Sequence, residues 1–193
     1  MEGLYSTLIP VAGVVTVPLL VLLGLGCLLW CRGKNHTHLV RTAVAFLGAC
    51  GLLFGGEVIA DLFGLTWRNF PARLLCAVIL ISGILGIWFT LACFLPLELK
   101  DLAPVLRWTL KTGALFAAGL LIFCALRLGT LIVVFGFGSE DVVVSCQGQT
   151  LVEEESGWLD PIYDYYEYHG PLFRGRERLY SSSYERLDGI RQP

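Results

Sequence analysis

Glu57, Asp61 and Arg127 point most directly to chemistry in this 193-residue chain, because each is an ionisable group inside a long apolar stretch. Such a side chain at bilayer depth costs about 2.5–3.5 kcal/mol on insertion scales, so it is kept for a partner or a task. Glu57 follows Thr42 by fifteen residues and Arg127 follows Thr112 by fifteen. In helices running the same way, at a rise of 1.5 Å per residue, both then sit about 22 Å from one membrane face. A carboxylate and a guanidinium at one depth form charge-assisted hydrogen bonds and relieve each other's desolvation. Glu57 and Arg127 are therefore expected to face each other, with Asp61 four residues on, on the Glu57 face and one turn nearer the surface. Two chemistries fit: an ion pair that sets helix order, or a proton or ion relay in an oligomer whose acids line a shared axis.

Other reactive groups depend on which side of a membrane they occupy. Cys27 and Cys31 end an apolar stretch just before Arg32, the setting of palmitoylated thiols. Cys76 and Cys146 are disulfide candidates if the C-terminal segment lies in an oxidising compartment. A cytosolic segment brings other motifs into play. Tyr184-Glu-Arg-Leu187 has the tyrosine-x-x-bulky form of a sorting signal, and Ser181 follows Arg176 and Arg178 at basophilic-kinase spacing. Tyr163, Tyr165, Tyr166 and Tyr168 form an acid-flanked cluster suited to phosphorylation. His36 and His38 offer two metal ligands without a third beside them. No Walker loop, nucleophile elbow or zinc-protease motif occurs, so neither an enzyme nor a cofactor or resident metal is expected.

The elements that must position these groups are apolar. Hydrophobic residues make up 55% of the chain and charged ones 16%, against roughly 25% charged in soluble domains, and mean hydropathy is +0.69. Thr7–Cys31, Thr42–Gly64, Leu74–Leu97 and Thr112–Phe137 each reach the roughly 20 apolar residues that cross a hydrocarbon core. The expected fold is an all-α integral membrane protein: a four-transmembrane-helix bundle over residues 1–137, then a hydrophilic, largely disordered C-terminal tail over residues 138–193, acidic and tyrosine-rich. Within that tail Asp141–Cys146 suggests one short strand, while 170–193 has the composition of a disordered segment. The connectors Arg32–Arg41, Leu65–Arg73 and Glu98–Lys111 make neighbouring spans antiparallel, and Trp30, Trp67 and Trp108 sit at span ends, where indole rings favour the headgroup level. Gly48, Gly51 and Gly55, Ser82 and Gly86, and Gly113 with Ala117 recur at spacings that let helices approach closely, within the bundle or against a partner's helix.

Over residues 1–33 the short acidic leader, apolar span, spaced cysteines and basic stop resemble the membrane anchor of lymphocyte transmembrane adaptor proteins. The Met1–Tyr5 leader carries no Lys or Arg and the apolar run exceeds the about 7–15 residues of a signal peptide, so a retained anchor is expected; the resemblance covers none of the other stretches.

Sixteen acids against fourteen bases give a formal charge of −2 without a Lys/Arg-rich block, which excludes the electrostatic footprint of a nucleic-acid binder. Arg32, Lys34 and Arg41 in the first connector and Lys100, Arg107 and Lys111 in the third place those connectors in the cytosol and both termini outside. The sorting and kinase motifs argue the opposite placement. The expected function is that of a non-enzymatic multi-pass membrane protein of the plasma membrane or an endomembrane of a eukaryotic cell. It would act as an adaptor, trafficking factor or accessory subunit of a membrane complex. Its expected partners are the lipid bilayer and either another membrane protein or further copies of itself. The alternative is a small oligomeric transporter or channel built on Glu57 and Asp61.

Overall fold

The structure, a computed structural model, describes residues 24, 34–97, 103–135, 141–146, 148–156, 162–183 and 190–191. The first expected span, with Cys27 and Cys31, lies outside the described residues apart from Gly24. Helix α1 (Lys34–Cys50) continues without a break through a π-helical turn (Gly51–Gly55) into α2 (Gly56–Leu62). A short strand, β1 (Leu65–Trp67), precedes helix α3 (Asn69–Phe94), and helix α4 (Pro104–Phe135) follows. Pro71 and Pro104 both fall in first turns, where an amide donor has no helical partner to lose. Three helical runs, Asn35–Leu62, Asn69–Phe94 and Pro104–Ile132, are long and apolar enough to cross a membrane. They begin before the expected spans, so that Arg41, Arg73, Arg107 and Lys111 are helical rather than connector residues.

The remaining elements are strands: β2 (Val142–Cys146), β3 (Gln149–Glu155), β4 (Ile162–His169), β5 (Phe173–Ser183) and β6 (Ile190–Arg191). They form one antiparallel sheet in the order β1-β5-β4-β3-β2-β6. This overturns the expected all-α four-helix bundle with a largely disordered tail: the chain combines apolar helices with a sheet built mostly from that tail. The physical reason is that Val142–Val144 and the Ile162-to-Tyr168 run are β-branched and aromatic, hence strand formers. The interleaved charges, which suggested disorder, are paired across strands. Gly148 (φ 82°) and Gly170 (φ 95°) sit at the β2–β3 and β4–β5 turns, in a backbone region where a side chain is strained.

The chain divides into two compact units. In the unit of residues 1–46 and 80–127, Leu39, Cys93 and Phe94 form a small core with Phe89 and Ala114. There His38 stacks on Phe89 at 5.2 Å, Asn35 Nδ2 donates to the Ala92 carbonyl at 3.3 Å, and a Cβ at Gly83 would lie 3.5 Å from Phe46. In the unit of residues 47–79 and 128–193, Val144, Leu151, Tyr163 and Tyr165 form the core, with Val142 and Cys146 against it. Leu151–Glu153 and Tyr163–Tyr165 are each buried at three consecutive positions. Successive strand residues point to opposite faces, so both faces of the central strands are covered.

Candidate functional site

Glu57 stands in the first turn of α2, directly after the π-helical turn, and its carboxylate turns toward β1. Oε1 accepts from the Thr66 hydroxyl at 2.9 Å and Oε2 from the Trp67 amide at 3.4 Å. The Trp67 ring lies over Gly56, where a Cβ would meet Cζ2 at 2.5 Å. Its Nε1 donates to the Leu53 carbonyl at 3.2 Å, an oxygen within the π-helical turn. The same ring meets Phe173 of β5 with centroids 4.5 Å apart. Asp61, one turn beyond Glu57, pairs with Arg176 of β5. The Arg176 amide donates to the Gly64 carbonyl at 2.9 Å, and the Arg68 amide to the Leu172 carbonyl at 2.9 Å. Both acids of α2 are thus engaged by the β1–β5 seam.

A second set of charges runs into the sheet from the start of α3. Arg68 Nε donates to Asp141 Oδ2 at 2.7 Å, with the two side chains 12% and 3% exposed, and its guanidinium lies 5.7 Å from the Tyr168 ring. Asn69 Nδ2 donates to Glu154 at 2.8 Å. Glu154 also accepts from Arg174, whose guanidinium stands 3.9 Å above the Tyr166 ring. Burial, with the Glu154 and Asp164 charges adding to it, pushes the Tyr166 phenol above its ordinary range despite the nearby Arg174 and Arg178. Asp164 accepts from Ser156 at 2.8 Å and Arg178 at 3.1 Å. Burial raises its carboxyl, but hydrogen bonds from Ser181, Ser156 and Arg178 and the Arg178 charge outweigh that and leave it low. The Tyr165 hydroxyl donates to Glu153 at 3.1 Å in a fully buried setting. A cavity of about 330 Å³ opens beside this array, lined by Arg68, Asn69, Phe70, Arg73, Asp141 and Pro171.

No family model, curated protein or solved structure matches this chain.

The residues singled out in the sequence are distributed as follows. Glu57 and Asp61 come together at the seam. Arg127 lies in the other unit, with its guanidinium 5.5 Å from the Phe123 ring one turn back on α4. The expected Glu57–Arg127 pair stays an expectation from depth alone. Cys76 and Cys146 are both present as thiols. In the tyrosine cluster, Tyr163 and Tyr165 are buried and Tyr166 and Tyr168 lie under arginines, so phosphorylation there requires β4 to leave the sheet. Ser181 is in β5 and hydrogen-bonds Asp164. Tyr184 and Leu187 lie outside the described residues.

Sequence reasoning missed Thr66, Trp67, Arg68, Asn69, Arg174 and Arg178 as members of the array. One signal was present: Arg174, Arg176 and Arg178 recur at every second position, which on an extended strand is one face. Chemically the array is a set of ion pairs and hydrogen bonds that fasten α2 and the start of α3 to a sheet.

Proposed function

We propose that this chain is a non-enzymatic multi-pass integral membrane protein that serves as an adaptor, trafficking factor or accessory subunit, displaying its sheet on the non-cytosolic face. One observation carries the reading: the two acids best placed for ion coupling are bound, Glu57 by Thr66 and Trp67 and Asp61 by Arg176. A carboxylate whose oxygens accept from fixed donors is held in place with those acceptor sites occupied, which suits fastening better than a relay.

The helices supply support for the membrane placement. On α4, Val105, Trp108, Phe116 and Leu128 are between 62% and 78% exposed, and a helix apolar all round belongs in lipid or against other helices. A Cβ at Gly48, Gly51, Gly55, Gly86 or Gly113 would meet nothing within 4 Å among the described residues, leaving small-residue surface for a partner's helix. Pairing of β1 with β5 keeps the segment between α2 and α3 on the same side as the C-terminal strands, and the cation distribution supports a non-cytosolic placement of that side.

The test is to purify the tagged chain in mild detergent from its own membranes, size the complex, and reconstitute the chain alone in liposomes. The expected result is a complex larger than the chain in its micelle, with a second membrane protein at fixed stoichiometry, and no flux from the chain alone. A chain that always migrates by itself, with proton or ion flux that vanishes in Glu57→Gln, would replace this reading with a channel or transporter.

A further inference from the structure

In the unit of residues 1–46 and 80–127, a cavity of about 370 Å³ is lined by Leu95, Arg107, Trp108, Lys111, Thr112 and Leu115. Arg107 and Lys111 are four residues apart on α4, so their cations share one face, and Leu115 continues that face as hydrocarbon. Lys111 Nζ donates to the Leu95 carbonyl at 2.6 Å, which fixes the ammonium at the cavity wall and leaves two of its three donors for another acceptor. Trp108 beside it is 76% exposed, as an indole at the headgroup level would be.

Cations at one end of an apolar wall match an amphiphile with an anionic head. The cation distribution assigns this end of α4 to the cytosolic leaflet, the one rich in anionic lipid. The cavity at the start of α3 is a weaker match, because a carboxylate, Asp141, is among its lining residues. We infer that the α4 cavity binds one anionic phospholipid, its phosphate held by Arg107 and Lys111 and its acyl chain lying along Leu95 and Leu115. The inference rests on the membrane placement proposed above.

The experiment uses the full chain reconstituted in vesicles of equimolar phosphatidylcholine and phosphatidylglycerol, then solubilised mildly and weighed by native mass spectrometry to identify the retained lipid. The expected result is one retained phosphatidylglycerol in preference to phosphatidylcholine. That preference should fall about fivefold in Arg107→Gln and again in Lys111→Gln, the ratio typical of one cation near an anionic lipid surface. Arg41→Gln should leave it unchanged, since Arg41 is exposed in the same unit and does not line the cavity. Lys111→Gln also removes the Leu95 hydrogen bond, so Arg107→Gln provides the test that leaves that bond intact. Equal retention of the two lipids, a preference unmoved in both cavity variants, or an equal loss in Arg41→Gln would each overturn the site. A chain that alkaline carbonate strips from the vesicles would overturn the membrane placement itself, and a chain that stays without lipid preference would overturn the site alone.

Discussion

Gly56 and Asp164 carry the sharpest expectations at the level of single residues. A methyl at position 56 would lie 2.5 Å from Trp67 Cζ2, and the indole is held by the Leu53 carbonyl and by Phe173. Gly56→Ala should therefore destabilise the protein by about 1–3 kcal/mol, the usual cost of overpacking. Combining it with Trp67→Leu should cost less than the sum of the two changes, because the second removes the clash; thermal melting in detergent measures both. Asp164 makes a pH prediction. Its carboxyl is held low in the folded protein, so its stabilisation is present above the carboxylate range of the unfolded chain and is lost as pH falls through the folded value. Asp164→Asn should lower the melting temperature at pH 7, and the gap from the unsubstituted protein should close as pH drops below about 4. A gap that is constant with pH would show that the charge is not what stabilises.

At the level of elements, a buried ion pair and a three-residue seam join helix to sheet. Arg68 and Asp141 are both nearly buried and join the start of α3 to the residue before β2. Removing one partner strands the other charge, so Asp141→Ala should cost about 3–5 kcal/mol. Arg68→Met with Asp141→Leu should recover most of it; a double variant as unstable as the single one would contradict the pairing. β2 was legible in the sequence because its Val142–Val144 run declares itself locally. Helices over the second, third and fourth expected apolar stretches were legible too, with their ends shifted. The sheet was not, because its strands carry charged residues whose placement makes sense only once the mostly buried Arg174 meets Glu154 and Arg178 meets buried Asp164. Hydropathy counts those residues as solvated. Least legible was β1, three residues whose partners Phe173–Gly175 lie far downstream. Glu57 and Asp61 were singled out with Arg127 as the expected partner, whereas the donors at Thr66, Trp67 and Arg176 sit on this non-local pairing, which depth along a helix cannot reveal.

At the scale of the whole molecule, the proposed membrane placement puts the sheet, with the end of α2 and the start of α3 that it holds, on the non-cytosolic side. The β1–β5 seam makes sidedness a single question, since the α2–α3 segment and the C-terminal strands must share a compartment. Protease protection of sealed membrane vesicles with the cytosolic face outward answers it, using the full chain with one epitope at the C-terminus and another between Glu98 and Asp101. With the sheet on the non-cytosolic side, the C-terminal epitope survives until detergent is added while the one between α3 and α4 is cut at once. Digestion of the C-terminal epitope in intact vesicles, with protection of the other, would put the sheet in the cytosol and contradict the account.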